Sequence, residues 1–284
     1  RITSVQISEN PSDILYFGTY YSRVFRVENA HSENPIVKDI TGNEFPPFST
    51  VTCVAIDPDD ADKVFAVMSN YSIISIFYSE NGGETWVPVS GNLEERPDGT
   101  GAGPNVFWME ILKIGEEKLY FAGTSIGVFS TAYIDGMNTV WNMEAPDLIG
   151  NSVCRTMDSR SSDGLVVAGT YGYAVFSKNF KSMPALPDSP QLILPAMSRR
   201  AILDTATFSW QPVEDAVFYK LEISKDPTFE EVDYVFDGIR ETEYLVRELE
   251  QGLVDYYWRV SARSYAGVGA PSGSYQFRTA VAPP

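Results

Sequence analysis

A repeat constrains this chain more than any other feature. A short apolar strand ending in small residues, followed by a second apolar strand, recurs along its first 180 or so residues. It reads Leu15-Tyr16-Phe17-Gly18-Thr19 with Val24-Phe25, Leu119 to Thr124 with Val128-Phe129, and Leu165 to Thr170 with Val175-Phe176. Val64-Phe65-Ala66-Val67 with Ile76-Phe77 is a fourth, weaker copy. The copies lie about 50 residues apart, a period that belongs to arrays of four-stranded sheets. Another β-rich run precedes each copy: Ile2 to Ser8, Val51 to Ile56, Val106 to Leu112 and Val153 to Asp158. These runs are expected to be the innermost strands.

The most specific local signal is Ser79-Glu80-Asn81-Gly82-Gly83-Glu84-Thr85-Trp86. It resembles the Asp box of BNR (sialidase-like) propeller repeats, with Asn81 in place of the usual Asp. Its structural residues would be Ser79, Asn81, Gly83, Thr85 and Trp86: the Asn caps backbone N–H groups, glycine supplies positive φ, and the indole packs between sheets. Ser130 to Trp141 is a degenerate echo. Gly169-Thr170-Tyr171-Gly172-Tyr173-Ala174-Val175-Phe176 is similar to a run in the last blade of Vps10/sortilin-like propellers and family 74 glycosidases. The resemblance implies an all-β fold with propeller repeats over residues 1–182, in blades of about 1–48, 49–104, 105–149 and 150–182. The last repeat supplies three strands and the chain opens directly on an inner one. A closed ring is therefore expected to need a further N-terminal propeller segment of the same precursor.

Residues 183–195 carry four prolines, at 184, 187, 190 and 195, a composition expected of a stiff linker. Beyond them, alternating strands recur at sandwich spacing: Ala206 to Trp210, Tyr219 to Ser224, Val232 to Phe236, Thr242 to Val246, Tyr256 to Ser264 and Tyr275 to Thr279. Phe208-Ser209-Trp210-Gln211-Pro212, Tyr219 to Ser224 and Tyr256 to Arg263 resemble a bacterial fibronectin type III domain, an immunoglobulin-like sandwich, at 196–284. That resemblance implies a core built on Trp210, Tyr219, Leu249 and Tyr257. Leu249 followed by Tyr256 or Tyr257 is similar to a tyrosine corner.

Composition narrows the chemistry. The net charge of −17 opposes nucleic-acid and anionic-membrane partners, and no apolar run approaches the roughly 18 residues of a membrane span. One histidine, His31, and two cysteines, Cys53 and Cys154, supply neither a zinc site nor a His-dependent triad. The two cysteines fall at equivalent inner-strand positions two repeats apart and are expected as buried thiols. No cofactor or metal is expected. Asp59, Asp60 and Asp62 lack calcium-loop spacing and read as a solvated turn.

The arginines of the repeats are too few for a sialidase cluster. A family 74-like hydrolase would need two carboxylates across a cleft, and Glu110 and Asp158 are the weak candidates. Tyr20, Tyr21, Tyr71, Trp108, Tyr171 and Tyr173 fall in inner strands or in turns after second strands; stacking on sugar rings and packing between blades are both open to them. Asp204-Thr205-Ala206 resembles a Bacteroidetes O-glycosylation acceptor at Thr205, and Asn70-Tyr71-Ser72 fits a sequon. Blades followed by a fibronectin type III domain resemble secreted type IX substrates of Gram-negative Bacteroidetes. The expectation is a non-catalytic secreted or cell-surface protein that binds a glycan or protein partner. The alternative is the C-terminal part of a secreted polysaccharide hydrolase.

Overall fold

Short β-branched and aromatic runs, broken every few residues by Gly, Asp, Asn or Pro, leave strands as the regular structure, and this computed structural model is all-β. It describes residues 1–281. Two compact units, Arg1–Met183 and Pro184–Pro284, divide the chain.

In the first unit, β1 (Ile2–Ile7), β2 (Leu15–Thr19), β3 (Val24–Glu28) and β4 (Ile36–Asp39) form an antiparallel meander. A second meander follows as β5 (Thr50–Asp57), β6 (Asp60–Ser69), β7 (Ile76–Ser79) and β8 (Val87–Pro88). The third comprises β9 (Val106–Ile114), β10 (Glu117–Thr124), β11 (Gly127–Thr131) and β12 (Asn142–Met143). The fourth has three strands: β13 (Cys154–Arg160), β14 (Leu165–Thr170) and β15 (Val175–Asn179). First strands pack in series, β1 on β5, β5 on β9 and β9 on β13. The described residues show no closed ring; Val5 and Ile7 of β1 are exposed, and Phe17 and Phe25 stack on the open side of the first sheet.

The small residue near the end of β2 has a packing cause. A Cβ on Gly18 would lie 2.3 Å from Val51 Cγ1, so glycine lets the next sheet's first strand approach. Gly123 meets Cys154 in the same way, at 3.1 Å from its Sγ.

Phe77 pairs with Ala66, Phe129 with Ala122 and Phe176 with Ala168, and each of these phenylalanines packs toward the preceding sheet. The true equivalents are therefore Ala66, Ala122 and Ala168, and alignment on Val64 and Leu119 slips by one residue. A one-residue slip flips a side chain to the opposite face. This corrects the reading of the cysteines as equivalent: Cys53 faces the third sheet from the second, and Cys154 faces it from the fourth. Both thiols are free and buried.

In the second unit, β16 (Leu192–Leu194), β18 (Ala206–Trp210) and β21 (Glu243–Val246) form one sheet. The other contains β17 (Arg199–Ile202), β19 (Phe218–Ser224), β20 (Tyr234–Ile239), β22 (Asp255–Ser264), β23 (Gly267–Val268) and β24 (Tyr275–Thr279). Phe208, Trp210 and Val246 of the first sheet share one core with Leu221, Tyr256, Trp258 and Phe277 of the second, which makes the unit a sandwich.

Two expectations need correction here. Residues 183–195 are not a free connector: from Pro184 they belong to the second unit, β16 pairs with β18, and Ser189 Oγ donates to Ala270 O at 3.0 Å. Prolines at 190 and 195 flank that strand and leave its own N–H groups intact. In the core, Tyr256 takes the place expected of Tyr257, because alternation along β22 turns Tyr256 and Trp258 inward and leaves Tyr257 half-buried. Trp210, Tyr219 and Leu249 are buried.

Candidate functional site

The first strands run in one direction. Thr3 Oγ1 donates to Val51 O and Ser4 Oγ accepts from Val54 N, while Cys53 Sγ reaches Met109 O and Ser159 reaches Ile111. All turns between second and third strands therefore fall at one end of the four sheets, together with the loops that lead to the next first strand. The turns are tied down alike: Tyr20 N donates to Arg1 O, Ser125 N to Asn105 O and Tyr171 N to Val153 O, at 2.8 to 3.0 Å.

This end is aromatic. Tyr20, Tyr21 and Tyr71 are exposed, Tyr171 and Tyr173 are 76% and 73% exposed, and Phe48, which sequence reading passed over, is 88% exposed. Tyr20 and Tyr21 meet edge to face at 5.2 Å, and Tyr173 stacks on Phe176 at 6.1 Å. Phe48 sits at φ 62°, at the tip of the loop between the first and second sheets. Its one sequence signal was a large aromatic in a Pro-Pro-Phe turn, where no core is available.

Trp108 is placed differently. It is half-buried on β9, packs into the cores on both sides of the third sheet, and directs Nε1 toward Glu110 Oε2 at 3.4 Å. Glu110, Asp158 and Trp108 line a polar cleft of about 370 Å³ along the four first strands. Ser159 Oγ lies 2.9 Å from Glu110 Oε1, so Glu110 ties the third sheet to the fourth. Burial pushes the Glu110 carboxyl up to about 7, and the Asp158 charge adds to this, against the pull of the bonds from Ser159 and Trp108.

A carboxyl raised on folding stabilises fully below its unfolded value near 4.5, and that stability is lost as pH rises through about 7. Glu110→Gln is therefore expected to match the wild type at pH 4.5 and to exceed it at pH 8 by up to about 3 kcal/mol. Urea midpoints at the two pH values check this; a variant that is weaker at pH 8 would refute it.

The Asn81 turn is fully bonded. Asn81 Oδ1 accepts from Thr85 N at 2.9 Å, Gly83 N donates to Ser79 Oγ at 2.9 Å, and Trp86 Nε1 donates to Ile40 O at 2.8 Å. Gly82 and Gly83 take φ of +69° and +92°, and a Cβ on Gly83 would lie 2.4 Å from Ile40 Cδ1. These residues organise packing between sheets, away from the aromatic end.

The acidic turn is solvated as expected, with the Asp59, Asp60 and Asp62 side chains 42%, 44% and 54% exposed, and it is ion-paired to neighbouring sheets as well. β6 begins at Asp60, and Asp57 and Asp59 bind Lys118 and Lys113 of the third sheet at 2.7 to 3.0 Å. Asp62 pairs with Arg26 of the first. Among the described residues, no group of three or more His, Cys, Asp or Glu is placed to hold a metal ion, and no helix is long and apolar enough to cross a membrane.

No protein-family model and no curated protein matches the chain. Solved structures it resembles include fibronectin type III-like folds that overlay about a third of it. An Fn3-like protein from Clostridium thermocellum covers 36% of this chain and 99% of its own at 21% identity, with a TM-score of 0.26. The fn3 domain of human collagen alpha-1(XX) chain covers 36% of this chain and 90% of its own at 27% identity, TM-score 0.26. The fibronectin(III)-like modules of Clostridium thermocellum CbhA cover 33% and 99% at 14% identity, TM-score 0.25.

Proposed function

We propose that this chain is a non-catalytic binding or adhesion protein of the exported or cell-surface kind, which recognises a glycan through the aromatic end of its first unit. In this reading the four sheets are propeller blades of the BNR type and the sandwich is a fibronectin type III spacer. One observation carries the reading: exposed tyrosines stand on the equivalent turns of the first, second and fourth sheets, and Phe48 on a loop at the same end, where an apolar ring gains nothing from the protein's own core. Flat aromatic faces of this kind stack on the C–H faces of sugars, and the tyrosine hydroxyls add hydrogen bonds. A polysaccharide-hydrolase fragment is the competing reading, favoured only by the raised carboxyl of Glu110 and its place beside Asp158 in one cleft.

Affinity electrophoresis in gels cast with soluble β-glucan tests the binding reading. The protein is expected to be retarded, and Tyr171→Ala with Tyr173→Ala to weaken retention about tenfold, at roughly 0.5–1.5 kcal/mol per ring lost. Equal mobility of wild type and variant at every glucan concentration would refute glycan recognition at this end. Release of reducing sugar, abolished by Glu110→Gln, would instead favour the hydrolase.

A further inference from the structure

The second and third sheets each place an indole against the sheet before them. Trp86 donates Nε1–H to Ile40 O at 2.8 Å, and Trp141 donates to Val89 O at 3.0 Å. The two accepting residues are equivalent, since each follows its sheet's fourth strand and donates its own N–H to the third strand: Ile40 to Val24 O and Val89 to Ile76 O. The next member of this series is Glu144, which follows β12 and donates to Val128 O at 2.8 Å.

Where the third such indole would lie, between the third and fourth sheets, there is an apolar cavity of about 220 Å³. Phe121 and Val128 wall it from the third sheet, Val166, Ala168 and Phe176 from the fourth, and Ile149 and Glu144 from the loop after β12. An apolar cavity of roughly 150 Å³ already admits a benzene ring. Beside it, β15 pairs only with β14 in the described fourth sheet, whereas β3, β7 and β11 each pair with a fourth strand.

The geometry points to a β-strand addition site: a tryptophan-bearing extended peptide segment, not contained in residues 1–284, pairs antiparallel with β15 and seats its indole in this cavity with Nε1–H on the Glu144 carbonyl. The occupant is fixed by continuity with the two established inter-sheet contacts. Its register follows from them too. Pro88, two residues after Trp86, pairs with Phe77, and Met143, two after Trp141, pairs with Phe129, so the residue two after the incoming indole pairs with Phe176. Main-chain bonds along the edge would supply affinity, and the indole socket would supply specificity. Phe176 is shared with the fourth sheet's aromatic turn through its stack on Tyr173, but the strand pairing and the indole socket do not depend on what that turn binds.

A synthetic peptide copying residues 79–90, the chain's own Asn81 turn with Trp86 and β8, serves as the probe. Calorimetric titration into the full chain is expected to give saturable one-to-one binding. The same peptide with Trp86→Ala should bind at least tenfold more weakly, and this comparison uses unaltered protein. Ala168→Leu, which fills the cavity, should also weaken binding at least tenfold, with circular dichroism confirming that the variant is folded. No saturable binding, or equal binding of the two peptides, would overturn the proposal. So would a peptide-free dimer that Ala168→Leu disrupts, since that would put a second copy of the chain in the cavity.

Discussion

Trp141→Ala is expected to cost the first unit about 3–5 kcal/mol, the range for deleting a buried tryptophan. The side chain is 2% exposed and lies in the core shared by the second and third sheets. Its loss opens a cavity there and strips the Val89 carbonyl of its indole donor. The backbone around it is equally committed: Asn92 Oδ1 accepts from Trp141 N at 2.6 Å, and Asn92 Nδ2 donates to Trp141 O at 3.0 Å. Trp141→Phe should recover part of the loss, because it restores apolar volume and still leaves the carbonyl unpaired, at about 1–3 kcal/mol for a buried acceptor. Urea denaturation followed by far-ultraviolet circular dichroism reads both values. A cost below about 1 kcal/mol for Trp141→Ala would mean that the indole is not what joins these sheets.

Trp141 also marks how far the sequence could be read. The strand runs, their period and the three-strand count of the last repeat follow from apolar patterning with Gly and Asp punctuation, and these features are local. Side-chain direction was harder. Leu119 and Val64 look like matching markers, yet Phe77 and Phe129 show that the copies are offset by one, and that offset turned Cys53 and Cys154 to opposite faces. The same period-two ambiguity put Tyr257 in the core instead of Tyr256. β16 and β17 were illegible because their short strands lie among prolines and arginines, and their pairing partners, Trp210 and Phe277, are remote in sequence.

Of the candidate site, the tyrosines could be read because turns follow from the repeat. Phe48 was harder, since the Pro-Pro-Phe turn is its one signal and no repeat copies it, so its exposure shows only in the structure. The empty socket beside Phe176 was hidden for the same reason: it is visible only when two filled sockets stand next to it.

Lys118→Met is expected to destabilise the first unit by about 3–5 kcal/mol, the cost of leaving a buried charge without its partner. The Asp57 side chain is 3% exposed and that of Lys118 is 15% exposed, and Nζ holds both Asp57 oxygens at 2.7 and 2.8 Å as well as Asp59 at 3.0 Å. Once the ammonium is gone, Asp57 Oδ1 keeps the N–H of Asp59 at 2.9 Å, which satisfies one lone pair and leaves the charge uncompensated. Adding Asp57→Asn removes that charge, so the double variant should be more stable than Lys118→Met alone, with a coupling of about 1–3 kcal/mol. The exposed Arg160–Asp163 pair is the control: its side chains are 63% and 43% exposed, and Arg160→Met should cost less than about 1 kcal/mol. Urea midpoints for the wild type, Lys118→Met, Asp57→Asn, the double variant and Arg160→Met decide the matter. If Lys118→Met costs no more than Arg160→Met, the Lys118 ion pairs add nothing to stability; if the cost and its rescue by Asp57→Asn both appear, they bond the second sheet to the third alongside the Trp141 indole.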